Sequence, residues 1–270
     1  MGSMFKTMIG GVVLGSLFVG GCTTDMPMFT NQRKARIEGV KLYNSGDPEN
    51  AAGAFRNAVK TDPRDYRSQY YLGLTYEKLN NYQQAIQAYK SALGIMRDSL
   101  AGRDDVDFRQ VVMNTLASAI RKHDDSGSEQ ALLKEQSSNP KLDSRLRAES
   151  SFLLAKIARM RRDADTALLS YFKGAELDPS DFWLQKEAGL YMLAMGQSKQ
   201  AGKPLTRASE INSRDAEVNA GLRQLNLPLP LAAIRNENGA KPLFKSTALP
   251  AVDLKVGDSA LTLPEQLPVD

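Results

Sequence analysis

A pattern of about 34 residues recurs along this chain, and a recurrence of that length limits the fold more than any other feature. Counted from Gln32, Gly39 stands eighth, Gly46 fifteenth, Ala51 twentieth, Phe55 twenty-fourth, Ala58 twenty-seventh and Pro63 thirty-second. Counted from Tyr66, the residues Leu72, Gly73, Tyr76, Ala85, Tyr89 and Ala92 fall at the matching places. A copy from Ala148 carries Leu154, Ala155, Ala167, Tyr171, Gly174 and Pro179, and one from Phe182 carries Gly189, Gly196, Ala201, Leu205 and Ala208.

Small residues at fixed places let two antiparallel helices cross closely, and the aromatics fill the space beside the crossing. Proline ends the second helix by removing a donor and clashing with the preceding turn. These residues resemble the tetratricopeptide repeat, which implies an all-α, right-handed solenoid of about five helix pairs. Several departures from that pattern stand out. The second copy lacks the terminal proline, Gly174 replaces the usual alanine, Gln185 stands where Trp is usual, and Pro204 falls inside a second helix. Pro204 is expected to kink that helix or delay its start.

From about 101 to 147 the register is lost, yet Phe108, Val112, Leu116 and Ile120 keep a helical stripe after the possible caps Asp104 and Asp105. A second helix is expected from about Ser128 to Gln136, giving a degenerate third repeat enlarged by an insertion. Val218, Leu222 and Leu225 form the stripe of a short capping helix, so the solenoid should run from 32 to 225. Beyond it, residues 226–270 hold five Leu-Pro pairs, which break helices and central strands. An extended, mostly disordered proline-rich tail is expected there, passive or itself a ligand for a partner.

The first residues have the layout of a secretory signal: Lys6, an apolar stretch from Met8 to Val19, then Gly20 and Gly21. The apolar run is short of the roughly 20 residues a membrane-crossing helix needs. Val19, Gly20, Gly21 and Cys22 resemble the lipobox of bacterial lipoproteins. That resemblance implies cleavage after residue 21, a diacylglycerol and further acyl chains on Cys22, and a tether over 22–31. Each buried methylene contributes about 0.8 kcal/mol, so several chains make a firm anchor. Thr23 follows Cys22, and the absence of Asp there implies sorting, in a Gram-negative cell, to the outer membrane facing the periplasm.

Cys22 is the sole cysteine, so its lipidation leaves no thiol for disulfides, zinc or nucleophilic catalysis. The net charge of +4 is too slight for a nucleic-acid binder with a clustered basic face. The lone His123 lies beside Asp124, Asp125 and Ser126 and reads as part of a solvated turn. No phosphate loop, zinc spacing or serine elbow appears, so neither an enzyme, a metal, a cofactor nor a small-molecule substrate is expected. A rival reading as a cell-wall hydrolase would need a buried pocket of paired carboxylates. Arg159, Arg161 and Arg162 suit a helix C-terminus, where cations complement the dipole.

The repeat resemblance implies a concave groove lined by positions two, five, nine, twelve and thirteen of each first helix. Carried over, these are Arg33, Arg36, Val40 and Tyr43, then Arg67, Tyr70, Leu74, Glu77 and Lys78. The later copies give Glu149, Phe152, Lys156 and Arg159, and Trp183, Lys186, Leu190 and Leu193. Aromatic and cationic residues of this kind suit a peptide with apolar anchors and some acidic character, and truncating Tyr70, Phe152 and Trp183 should weaken binding without unfolding the array. Lipobox and repeats together look like the lipoproteins of pilus assembly, tight-adherence or type IV, whose partners include a secretin. Barrel-assembly lipoproteins and adaptors of peptidoglycan hydrolases are similar in the same respects.

Overall fold

In a computed structural model, described over residues 27–98, 106–230 and Leu267, all the regular structure is helical. The helices are α1 (Pro27–Asn44), α2 (Pro48–Thr61), α3 (Tyr66–Lys78), α4 (Tyr82–Asp98), α5 (Val106–His123) and α6 (Ser128–Ser138). They continue as α7 (Ser144–Met160), α8 (Ala164–Leu177), α9 (Phe182–Ala194), α10 (Ser198–Ile211) and α11 (Ala216–Gln224). Helices α1 and α2, α3 and α4, α7 and α8, and α9 and α10 pack as pairs, whereas α5 packs on α4 and α7 and α6 packs on α7. Every even helix leans on the following odd helix, and α11 closes the end against α9 and α10. The described residues therefore form a tetratricopeptide-repeat solenoid, with α5 and α6 between the second and fourth copies of the pattern.

The repeat residues explain the pairing. A Cβ added to Gly39 would lie 2.7 Å from the Phe55 ring, and one on Gly189 would lie 2.6 Å from Leu205 Cγ. Only a residue without a side chain lets the two helices approach this closely. Gly46 and Gly196 adopt φ of +82° and +73° at the end of their first helices, the left-handed conformation that turns the chain back. The same turn is made by Asn80 and Arg162 at φ of +59° and +62°. Most helix starts share one device absent from the repeat pattern. The side chains of Asp47, Asp65, Asp143, Asp163, Asp181 and Asp215 each accept a bond from a backbone N–H in the following turn.

Several boundaries differ from the sequence reading. Helix α1 includes Pro27, inside the segment assigned to a tether. Helix α10 starts on schedule and runs through Pro204, which is buried beside the close crossing of α9 and α10. Gln185, at the place of the usual Trp, is fully buried, and its Nε2 donates to Ala175 O at 2.6 Å and Asp178 O at 3.0 Å, satisfying the end of α8. Leu227 and Leu229 pack against the core, so order continues beyond Leu225. Leu267, far into the expected tail, is buried to 4% exposure. The signal, Cys22, the caps Asp104 and Asp105, and residues 231–266 lie outside the described residues.

Candidate functional site

The odd helices share an inner layer, since α3 meets α5 through Tyr70 and Phe108, and α7 meets α9 through Lys156 and Glu187. Of the groove residues named from sequence, Arg33 is exposed and Trp183 half-buried at this face. Tyr43 and Phe152 are instead core residues, 0% and 1% exposed. Phe152 packs edge-on to Tyr171 with centroids 4.9 Å apart and lies over Gly174. Its expected place as an exposed groove anchor is corrected. At this fifth position of its first helix, Phe152 faces the partner helix α8, where Gly174 leaves room for the ring. Tyr70 is also buried, its ring edge-on to Phe108 at 5.1 Å and its hydroxyl 3.3 Å from Thr115 Oγ1. Arg67 lies over the Phe108 ring at 5.2 Å, and Lys78 over the Tyr43 ring at 3.7 Å.

The cations of this face meet carboxylates from neighbouring repeats. Arg36 bonds Asp65 at 3.0 Å and Lys156 bonds Glu187 at 2.6 Å. Lys186 reaches Asp215 at 2.8 Å and Glu217 at 2.6 Å. Arg159 stands 3.8 Å from Glu187 and over Tyr191 at 5.5 Å. For Lys186, burial works against its charge, yet the bonds to Asp215 and Glu217 win and hold its pKa above the ordinary lysine value. Charge matched inside the array is not offered to an acidic peptide, so the basic character read from sequence is largely neutralised. Sequence reasoning missed these acids because two of them, Asp65 and Asp215, look like plain helix caps.

The most elaborate cluster centres on Arg109 of α5, which bonds Asp181 at the start of α9 and Glu149 of α7 at 3.4 Å. Arg97 also reaches Glu149 at 3.4 Å. Burial raises the Glu149 pKa, and the two guanidinium groups offset part of that rise. A buried carboxylate, Glu149, and a half-buried one, Asp181, do converge here, but on arginine, and Asp181 also caps α9 through Leu184 N at 3.1 Å. The arrangement clamps three helices and leaves neither carboxylate placed for acid-base work. His123 stacks flat on Tyr82, centroids 3.5 Å apart, while Asp124 accepts from Gln130 N at 3.0 Å. That turn holds no nucleophile and base aligned with one another.

Beside Arg109 lies a cleft lined by Gln110, Met113, Phe152, Lys156, Trp183 and Leu184, enclosing about 230 Å³ with open solvent included. It is smaller than the roughly 300 to 1,000 Å³ that holds a small-molecule ligand. Arg109 and Trp183 both line this cleft, and Arg109 Nε and Trp183 Nε1 are shielded from solvent with no acceptor among the described residues. A buried donor left unbonded costs about 1 to 3 kcal/mol. Among the described residues no group of side chains could hold a metal ion, and no helix is long and apolar enough to cross a membrane.

A family model described as the tetratricopeptide repeat matches residues 38–99. No curated protein matches the chain. Among solved structures, a thermophilic repeat protein of Thermus thermophilus is 19% identical, covering 72% of this chain and 98% of its own, with a TM-score of 0.38. PilW, a widely conserved type IV pilus biogenesis factor, is 14% identical over 80% of this chain and 95% of its own, with a TM-score of 0.39. The pilF protein of Pseudomonas aeruginosa is 15% identical over 78% of this chain and 87% of its own, with a TM-score of 0.38.

Proposed function

We propose that this tetratricopeptide-repeat scaffold for protein–protein interaction is a lipoprotein of the bacterial envelope that holds a partner protein on its inner face. The observation that carries the reading is the pair of buried donors without acceptors, Trp183 Nε1 and Arg109 Nε, on two residues that line one cleft. A peptide segment has what the cleft lacks, a carbonyl oxygen beside an apolar side chain. The lipobox ending at Cys22 supports the anchor, with acyl chains as the only added groups and the outer membrane as the destination. Lipobox and repeats in one chain support an accessory role in assembling a pilus or secretion complex, the tight-adherence pilus first among them, with a secretin as one partner.

The anchor is tested by metabolic labelling with a fatty acid: the wild type should take up label, and Cys22→Ala should take up none and leave the membrane fraction. Label retained by the alanine variant refutes lipidation at this residue. The binding face is tested in native membranes with a photo-crosslinking residue at position 183 or, as a comparison, at 172, where Phe172 is exposed on α8. Adducts should form from 183 and not from 172. Adducts from 172 alone would place the partner on the outer helices and sink the reading.

A further inference from the structure

At the first repeat, Asn44 uses its whole carboxamide on one distant residue. Its Nδ2 donates to Leu267 O at 2.9 Å, and its Oδ1 accepts from Leu267 N at 2.6 Å. This is the two-bond pairing that one strand residue offers another, made here by a side chain, and it reads backbone in extended form. The leucine side chain is buried to 4% exposure within the core cluster, so backbone and side chain are both held. Asn44 occupies the thirteenth position of its repeat, on the face that the repeat pattern assigns to ligands, at the opposite end of the array from Trp183.

We propose that Asn44 forms a second peptide-docking site, specific for an extended leucine-centred segment, and that its resident ligand is the chain's own C-terminal segment at Leu267. The inference rests on the reading of the inner face as a protein-binding surface and names one occupant of it. Pro230 follows the last helix of the solenoid, and 36 residues separate it from Leu267. The intervening residues can span on the order of 110 Å when stretched, against roughly 10 Å per packed helix layer across five pairs. Reach is therefore ample, and tethering gives the segment an effective concentration on the order of millimolar. A partner offering a leucine in the same extended form must displace this segment, so the tail sets a threshold for binding at the first repeat.

The test uses the full chain throughout. Exchange of the Leu267 amide should be slowed at least tenfold in the wild type, and Asn44→Ala should abolish the protection while leaving the melting temperature near wild type. Should Asn44→Ala unfold the first repeat, Leu267→Ala offers an independent variant. That chain should bind a synthetic peptide of residues 259–270 at least tenfold more tightly than the wild type does, because its own segment no longer fills the site. Protection must persist on hundredfold dilution; its loss would mean that a second copy supplies the segment, which overturns the intramolecular assignment. Equal exchange in wild type and Asn44→Ala, or equal peptide binding by wild type and Leu267→Ala, overturns the site itself. Trp183→Ala should change none of these readouts, so failure here is distinguishable from failure at the Trp183 cleft.

Discussion

Phe152→Ala should destabilise the array by about 3 to 5 kcal/mol, the range for emptying a buried phenylalanine site. The ring is 1% exposed, meets Tyr171 edge-on, and covers Gly174, which has no side chain to move into the gap. Tyr171 is also fixed from its other end, since its hydroxyl donates to Glu187 Oε1 at 2.9 Å. The site can therefore collapse only by shifting α7 against α8. In a chain of this length each kcal/mol moves the melting temperature by roughly 2 to 4 °C, so a fall of about 6 °C or more should be seen. Because a solenoid is held by contacts between neighbours, urea unfolding followed by hydrogen exchange should locate the loss in the fourth and fifth pairs.

A second substitution sharpens the test. In the wild type a Cβ on Gly174 would lie 2.7 Å from Phe152 Cδ2, so Gly174→Ala alone should destabilise. With Phe152→Ala already made, the added methyl enters vacated space, although Ala148 O remains 3.2 Å away. The double variant should then be more stable than the sum of the two single losses, as expected for residues in contact. Additive losses, or a Phe152→Ala melt matching wild type, would mean that the ring is not wedged between these helices. The outcome also separates packing from recognition, because position 152 was readable from sequence as an exposed anchor.

That misreading shows where the sequence is informative. The crossings were legible because their requirement is strict: Gly39, Gly73 and Gly189 each stand where any side chain would strike the partner helix. The helix α5 followed from the stripe through Phe108, Val112, Leu116 and Ile120, even though the repeat register was lost. The facing of individual side chains was harder to read. Phe152 turns inward over Gly174, and Tyr70 at the same position of its copy is buried against Tyr89, a facing that depends on the crossing geometry. The acids that match Arg36, Lys156 and Lys186 lie about one repeat further on, at spacings of 29 to 31 residues. Such pairs follow from the solenoid's pitch and from no local motif. The link from Asn44 to Leu267 spans 223 positions and has no sequence signature beyond a leucine before a proline.

Gly73→Leu should be the more damaging of two leucine or alanine scans at glycine, and the comparison with Gly53 shows why. A Cβ on Gly73 would come within 2.6 Å of Tyr89 Cδ1, closer than real carbon contacts allow. Tyr89 has nowhere to retreat. It is 0% exposed, its ring lies 5.6 Å from that of Tyr70, and its hydroxyl donates to Glu77 Oε2 at 2.9 Å. Leucine at this crossing must therefore separate α3 from α4, and overpacking of this kind typically costs about 1 to 3 kcal/mol or more. The break of the Tyr89 bond beside half-buried Glu77 adds to that cost. Gly53 lies within α2 with nothing inside 4 Å of its added Cβ. Gly53→Ala should instead stabilise by about 0.4 to 1 kcal/mol, since it restricts the unfolded chain and favours helix. Thermal melts of the two variants should thus move in opposite directions from the wild type. Should Gly73→Leu melt with the wild type while Gly53→Ala rises, α3 and α4 would have to cross more openly than this packing allows, and the tight crossing would no longer account for glycine at the eighth position of the repeat.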